Sequence, residues 1–232
     1  MNAIWPSLSA SPVLDLFVTL AAYQLGLAAY QRCGRHPLLM PVFVGLVLVV
    51  LWNLAAGRSY ADYADGSAAL AVLLGPVTVA LAVPLYERIQ SIRALAVPLL
   101  LTWLVTAVVV VAAAWGLALL AGAAPEMQMS LVPKAATTPI AILIAEAIGG
   151  IPAIAAVVVL LTGIVGAMLG PALLRRLGVT DEAAVGFALG LSAHAVGTAR
   201  ALEISPRCAA FAALGMSLMG LGLALVLPLV FG

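Results

Sequence analysis

Long apolar runs separated by short polar segments dominate the chain. A membrane-spanning helix needs about 20 apolar residues. Runs near that length occupy positions 12–31, 37–56, 67–87, 94–122, 150–174, 183–203 and 208–231. A further apolar piece, 135–148, is shorter than a full span. The pattern predicts an all-α polytopic membrane protein with seven or eight spans.

Composition excludes an ordinary soluble domain. The chain is 65% hydrophobic and only 8% charged, whereas soluble domains carry roughly 25% charged residues. The formal net charge of +1 gives no electrostatic reason to expect a nucleic-acid partner. Cys33 and Cys208 show no metal-ligand spacing, so we expect neither a metal nor another cofactor. No basic segment precedes the first apolar run as in a signal peptide, so we expect that run to be a retained span. We expect the spans to form one transmembrane domain over 1–232.

Basic residues predict the orientation. They follow the first, third and fifth apolar runs: Arg32, Arg35, His36, Arg88, Arg93, Arg175 and Arg176. The positive-inside rule places the N-terminus outside and residues 32–36 and 88–93 in the cytoplasm. Arg175 and Arg176 lie on the same side only if 135–148 does not cross fully. We therefore expect 135–148 to be re-entrant, which is tolerated where protein or a cavity surrounds it.

The two halves of the chain, 12–122 and 133–231, follow a similar order of segments. A proline-led apolar span, 36–52 in the first half and 149–166 in the second, is followed by a run interrupted by polar residues, 73–88 and 189–203, and a last apolar span closes each half. Under the predicted topology the matching spans run in opposite directions. This arrangement is typical of inverted-repeat transporters, whose sites lie between interrupted helices near the midplane.

Two stretches contain prolines that interrupt a helix. In 75–84, Pro76 and Pro84 remove backbone donors; the stretch is either a kinked span or a break that exposes Thr78 to a cavity. In 133–141, Pro139 pushes the preceding residue away from helical geometry, which predicts an unwound pair, Thr137 and Thr138. Lys134 beside them is either an interfacial lysine or part of a site.

The third interrupted stretch, SAHAVGTARALE at 192–203, carries the most polarity. Ionisable groups deep in a bilayer are costly and are usually functional, although His194 could also be a packing residue. We predict a break at Gly197, with Thr198 as the N-cap of a new half-helix whose positive end suits an anion. Arg200 either binds that anion or pairs with Glu203.

Several motifs together resemble the LrgB/CidB family. They are LVPKAATTPIA (131–141), GGIPA (149–153), GIVGAMLGP (163–171) and SAHAVGTARALE (192–203), with LLGPVTVALAVPLYE (73–87) upstream. The resemblance covers nearly the whole chain. Ala135 stands where the family usually has a hydroxyl, and the hydroxyl near His194 is displaced to Ser192. These departures leave the cargo preference open.

The resemblance implies a bacterial inner-membrane protein that often works with a small LrgA-type membrane partner. Members were described as antiholin-like regulators of murein hydrolase export and lysis, and relatives transport glycolate, glycerate or pyruvate. Our leading hypothesis is therefore a secondary transporter of small monocarboxylates in the lipid bilayer, as a homodimer, rather than an enzyme. The alternative is an antiholin-like regulator without transport of its own.

The transport hypothesis assigns roles to particular side chains. Hydroxyls and a break would bind the carboxylate, cations would neutralise it, and titratable groups would couple it to protons. The expected binding residues are Thr78, Lys134, Thr137, Thr138, Ser192, His194, Gly197, Thr198 and Arg200. His194 and Glu203 are the expected proton-coupling residues.

Overall fold

A computed structural model describes residues 12–80 and 82–232, with the side chains at 12, 71, 74, 77, 78 and 84 left out of the description. All regular secondary structure in this part of the chain is helical, which confirms the all-α prediction. Backbone contacts divide the chain into two compact units, Met1–Ala80 and Leu81–Gly232.

The first unit is a helical pair followed by short helices. Its elements are α1 (Pro12–Arg32), a 3-10 turn (Pro37–Leu39), α2 (Pro41–Ala55), α3 (Tyr60–Gly66), α4 (Ala68–Val72) and α5 (Leu74–Ala80). The helices α1 and α2 pack antiparallel, since Gly26 lies against Pro41 while Gly45 lies against Tyr23. A methyl group at Gly26 would come within 2.9 Å of the Pro41 carbonyl oxygen, so glycine is what allows this approach.

A buried ion pair fastens the end of α2 to the start of α1. Both guanidinium Nη atoms of Arg58 donate to the Asp15 carboxylate, and Nη2 lies 2.8 Å from Oδ2. Asp15 is only 1% exposed. The Thr19 hydroxyl, 2.9 Å from the Tyr63 hydroxyl, joins α1 to α3. These contacts hold a 119° bend between α2 and α3.

The second unit contains the longest helices. They are α6 (Ala82–Glu87), α7 (Ile89–Ala94), α8 (Ala96–Leu120), α9 (Pro125–Leu131), α10 (Thr138–Ala147), α11 (Pro152–Arg176), α12 (Glu182–Leu202) and α13 (Pro206–Phe231). Prolines stand at one of the first two positions of four of them, α9, α10, α11 and α13. An N–H group at the start of a helix has no carbonyl partner within the helix, so proline costs no hydrogen bond there. The prolines therefore mark where helices begin.

Glycine contacts bring α12 and α13 close together in this unit. Gly186 lies directly against the Cys208 carbonyl and Gly190 against the Ala212 carbonyl. Small residues at such positions allow membrane helices to approach at backbone distance. The core around this pair is fully buried and includes Phe211 and Met219 of α13.

Length and composition identify four candidate membrane spans in the described residues: Val13–Arg32, Ala96–Leu120, Pro152–Arg176 and Pro206–Phe231. The bent pair of α2 and α3 makes a fifth if the two count as one span. The helix α12 is not among these candidates, and its helical geometry is interrupted at His194. The expected span at 67–87 is divided into short helices, because prolines restart the helix. These features establish four or five candidate spans. They do not establish the seven or eight expected spans or the inverted repeats.

Candidate binding cleft

The second unit contains an open cleft of about 430 Å³, which we call the Lys134 cleft. It is lined from α8, from the connection between α9 and α10, and from α11 and α12. The lining residues are Val110, Lys134, Ala135, Leu161, Thr162, Val165, Gly166 and Ser192. Lys134 is the one charged residue in this lining, and Thr162 and Ser192 supply hydroxyl groups.

The non-helical connection 132–137 places Lys134 in the cleft. The Lys134 amide donates to Leu131 at 3.3 Å and the Ala136 amide to Pro133 at 2.9 Å, so the segment forms consecutive turns. Val132 and Ala136 are fully buried. The segment thus has protein on one side and the cleft on the other, the two surroundings in which irregular backbone is tolerated within a membrane protein.

The predicted unwound Thr-Thr pair is half correct. Thr137 is extended, with φ −73° and ψ 154°, and its hydroxyl makes no capping bond. Thr138, by contrast, is the first residue of α10. The expectation for Thr138 was wrong because Pro139 falls within the first turn of α10, where a proline is compatible with the helix. Neither threonine lines the Lys134 cleft.

Lys134 has no acidic partner among the residues that the structure describes, since no carboxylate there lies within 4.0 Å of its ammonium group. The residue is half-buried, and its neighbours in the cleft include the apolar Val110, Leu161 and Val165. Apolar walls weaken screening of a charge. The cleft therefore combines one positive charge with apolar walls and two hydroxyl groups. No cluster of three potential metal ligands exists in the described part of the chain.

The helix α12 is broken at His194, not at Gly197 as predicted. His194 has φ 39° and ψ −126° inside an otherwise helical stretch. Gly197 is helical and lies against the Leu189 carbonyl oxygen. The break tips the following turn back onto Leu189, and a side chain at position 197 would collide there. Gly197 thus allows a close approach rather than making the break.

Thr198 does not cap a half-helix. Its hydroxyl donates to the His194 carbonyl oxygen at 2.9 Å, one turn earlier, and lies 3.8 Å from the Met216 sulfur. Since the break comes four residues before Thr198, this side chain is too far along to cap the new helix. It instead satisfies a carbonyl that the break has disturbed.

The remaining predicted site residues are dispersed. Arg200 and Glu203 form an ion pair at the end of α12, so the pairing alternative describes their geometry. His194 is buried and bonds to the Val159 carbonyl oxygen. Thr78 belongs to the first unit, and its side chain lies outside the described residues. Of the nine expected binding residues, the Lys134 cleft therefore contains Lys134 and Ser192.

The Ser192 hydroxyl already donates a hydrogen bond within its own helix. Its hydroxyl donates to the Ala188 carbonyl oxygen at 2.7 Å, a common alternative for serine inside a helix. The oxygen lone pairs remain able to accept a hydrogen bond. To donate to an anion in the cleft, the hydroxyl must rotate away from Ala188.

Sequence reasoning missed three polar residues that the structure makes prominent. Thr162 lines the cleft directly before the GIVGAMLGP motif, which was singled out only as a family feature. Asp15 and Arg58 form the buried ion pair of the first unit. A carboxylate within the first apolar run was the available signal, since such groups are rarely left unpaired.

Comparison with known proteins yields one family. The model of the LrgB-like family matches residues 19–232. An uncharacterized protein of Haemophilus influenzae is 34% identical over 219 residues, covering 94% of each chain. The uncharacterized protein YwbG of Bacillus subtilis is 36% identical over 83% of this chain and 85% of its own.

Other relatives carry a functional name. Antiholin-like protein LrgB of Bacillus mycoides is 30% identical over 219 residues, covering 94% of this chain and 95% of its own. No solved structure matches the chain. With a family match over more than nine-tenths of its length, this chain belongs to the LrgB-like family.

Proposed function

We propose that this protein is an antiholin-like membrane protein that regulates murein hydrolase export and cell lysis. The observation that carries this proposal is the end-to-end similarity to antiholin-like protein LrgB, which covers 94% of this chain. The four apolar helices long enough to cross a membrane suit such a role. We further propose that the protein lies in the bacterial inner membrane.

Deletion of the gene in the native host tests this proposal. We expect higher murein hydrolase activity in the culture fluid, measured by zymography, and faster lysis, measured by optical density. Wild-type protein supplied from a plasmid should reverse both effects. Unchanged hydrolase activity and lysis after deletion would reject the regulatory role.

A second candidate function, transport of small monocarboxylates, is favoured by one feature of the molecule. Lys134 is a cation without an acidic partner in the described residues, and it stands in a cleft that also contains Thr162 and Ser192. One ammonium group and two hydroxyls match one carboxylate with its hydrogen bonds. The apolar lining suits the remainder of a small organic acid.

The chain contains a single lysine, Lys134, which makes a direct binding test available. Reductive methylation with ¹³C-formaldehyde keeps the charge and labels Lys134 and the terminal amine; the Lys134 signal is identified by its loss in Lys134→Gln. Titration with lactate, glycolate or pyruvate should shift that signal and leave the terminal signal unchanged. Equal shifts at both amines would indicate bulk ionic effects and reject a site.

Proteoliposomes then separate binding from transport. We expect uptake of a labelled monocarboxylate under a pH gradient by wild type and its loss in Lys134→Gln. In the deletion host, Lys134→Gln should restore lysis control if regulation does not need transport. Failure to restore it, with normal protein levels, would make the cleft part of the regulatory function.

The more detailed features that the sequence predicts for a transporter are also proposals. They are seven or eight spans, inverted repeats over 12–122 and 133–231, a homodimer and an LrgA-type partner. The roles assigned to Thr78, Thr137, Thr138, Gly197, Thr198 and Arg200 in binding, and to His194 and Glu203 in proton coupling, are likewise proposals. Uptake assays on single variants at these positions address each role separately.

A further inference from the structure

The break in α12 has an unusual residue at its centre. His194 has a φ of 39°, a backbone conformation that L-residues other than glycine rarely adopt. Such a conformation costs free energy and persists only where surrounding contacts hold it. The contacts around His194 therefore decide whether α12 stays broken in this way.

Helix α11 provides those contacts. The His194 Nε2 atom lies 3.0 Å from the Val159 carbonyl oxygen; because a carbonyl only accepts, Nε2 carries the proton and donates. One turn further along α11, Gly163 makes room for the ring, since a methyl group there would come within 2.5 Å of Cε1. The imidazole thus rests on the backbone of α11 and bonds to it.

The same turns of α11 form a wall of the Lys134 cleft. Leu161 and Thr162 line the cleft from positions between Val159 and Gly163. Ser192 lines it from α12, two residues before the break. Any movement of His194 away from Val159 would consequently displace Ser192 relative to Thr162.

We propose that His194 is a positioning residue for the Lys134 cleft. Its hydrogen bond to Val159 holds the two parts of α12 against α11 and thereby sets how far Ser192 stands from Thr162. Loss of the bond lets α12 swing from α11 and opens the cleft. This role concerns the shape of the cleft and does not require that a carboxylate bind there.

Cysteine labelling in the purified full chain tests the proposal. In a Cys33→Ser, Cys208→Ala background, Thr162→Cys, half-buried in the wall of the cleft, reports opening of the cleft, and Ser217→Cys, an exposed position of α13, is the control. A water-soluble thiol reagent gives the labelling rate at each. His194→Gly should raise the rate at position 162 by about fivefold to tenfold, the change that loss of one hydrogen bond produces, and leave the rate at position 217 unchanged.

Conservative variants separate the hydrogen bond from the backbone conformation. His194→Gln keeps an amide donor that reaches as far as Nε2, whereas His194→Ala keeps the same backbone restriction without a donor. If the bond holds the cleft, Gln labels like wild type, and Ala and Gly both label faster. If the backbone conformation alone matters, Gly labels like wild type, and Gln and Ala both label faster, which would overturn the proposal.

Gly163→Ala provides a second route that keeps His194. The added methyl group must displace the ring, so we expect the same faster labelling of Thr162→Cys. Gly116→Ala in α8, where a methyl group meets nothing within 4 Å, is the control. If His194→Gly does not yield monodisperse protein, the labelling rate in Gly163→Ala decides the test. An unchanged labelling rate in Gly163→Ala would overturn the proposal. The ¹³C signal of Lys134 reports carboxylate binding independently, so failure of this inference is distinguishable from failure of the proposed function.

Discussion

The two units of this protein differ in whether a charged side chain within the fold has a partner of opposite charge. In the first unit, Asp15 and Arg58 neutralise each other through two parallel hydrogen bonds. In the second, Lys134 enters a cleft and has no carboxylate partner in the described part of the chain. The first charge is balanced within the fold, whereas the second has no balancing carboxylate in the described residues.

We expect the paired charges of the first unit to serve stability and the unpaired charge of Lys134 to serve ligand binding. A buried ion pair adds little net stability compared with well-packed apolar residues in the same place. Removal of one member, however, leaves an uncompensated charge and is strongly destabilising. A cation without an internal partner can be removed without that penalty and can bind an anion. Substitutions should therefore damage stability in the first unit and ligand binding in the second.

The largest expected effect is at the ion pair of the first unit. Asp15→Ala should lower the free energy of unfolding by about 3 kcal/mol, because Arg58, whose side chain is 10% exposed, loses the carboxylate that compensates its charge. Thermal unfolding in detergent measures the loss, and Asp65→Ala at an exposed position is the control. The pair Asp15→Leu with Arg58→Met should recover much of it. A change below about 1 kcal/mol in Asp15→Ala would mean that the pair is not structural.

The next effect concerns the close packing of α12 on α13. Gly190→Ala places a methyl group against the Ala212 carbonyl and should cost about 1–3 kcal/mol by overpacking. The control Gly116→Ala lies in a helix with free space and should be neutral or slightly stabilising. Equal melting temperatures for the two variants would show that α12 and α13 adjust freely.

A smaller effect is expected at the ion pair of α12. The Arg200 and Glu203 side chains are 20% and 34% exposed, so Glu203→Gln should change the free energy of unfolding by at most about 1 kcal/mol. Chemical denaturation measures it. A loss as large as that of Asp15→Ala would place this pair in the same structural class as the pair of the first unit.

The smallest effect on stability is expected at Lys134. Lys134→Gln should shift the free energy of unfolding by no more than about 0.5 kcal/mol. Stabilisation by saturating lactate, about 2.7 kcal/mol at one hundred times Kd, should disappear in the same variant. Thermal shift with and without lactate measures both quantities. Strong destabilisation of ligand-free Lys134→Gln would contradict the contrast between the two units.

Polarity within an apolar run identifies residues but not which of them lie together. Of the nine binding residues expected from the sequence, Lys134 and Ser192 line the cleft, and their role in binding stays a prediction. Gly197 was selected as the break because glycine is the usual residue at such points. The break lies instead at His194, where bonding to α11 overcomes the intrinsic preference against positive φ. No local rule contains that contact.

The sequence by itself determined that this chain is helical, apolar and a member of the LrgB-like family, because run lengths, proline positions and ordered motifs are local properties. Only the tertiary structure decided which polar groups satisfy one another. It paired Asp15 with Arg58 across 43 positions and His194 with Val159 across 35, while it left Lys134 with hydroxyls and apolar walls. Such pairings depend on how helices distant in sequence pack, and the spacing of residues along the chain does not encode them in a readable form.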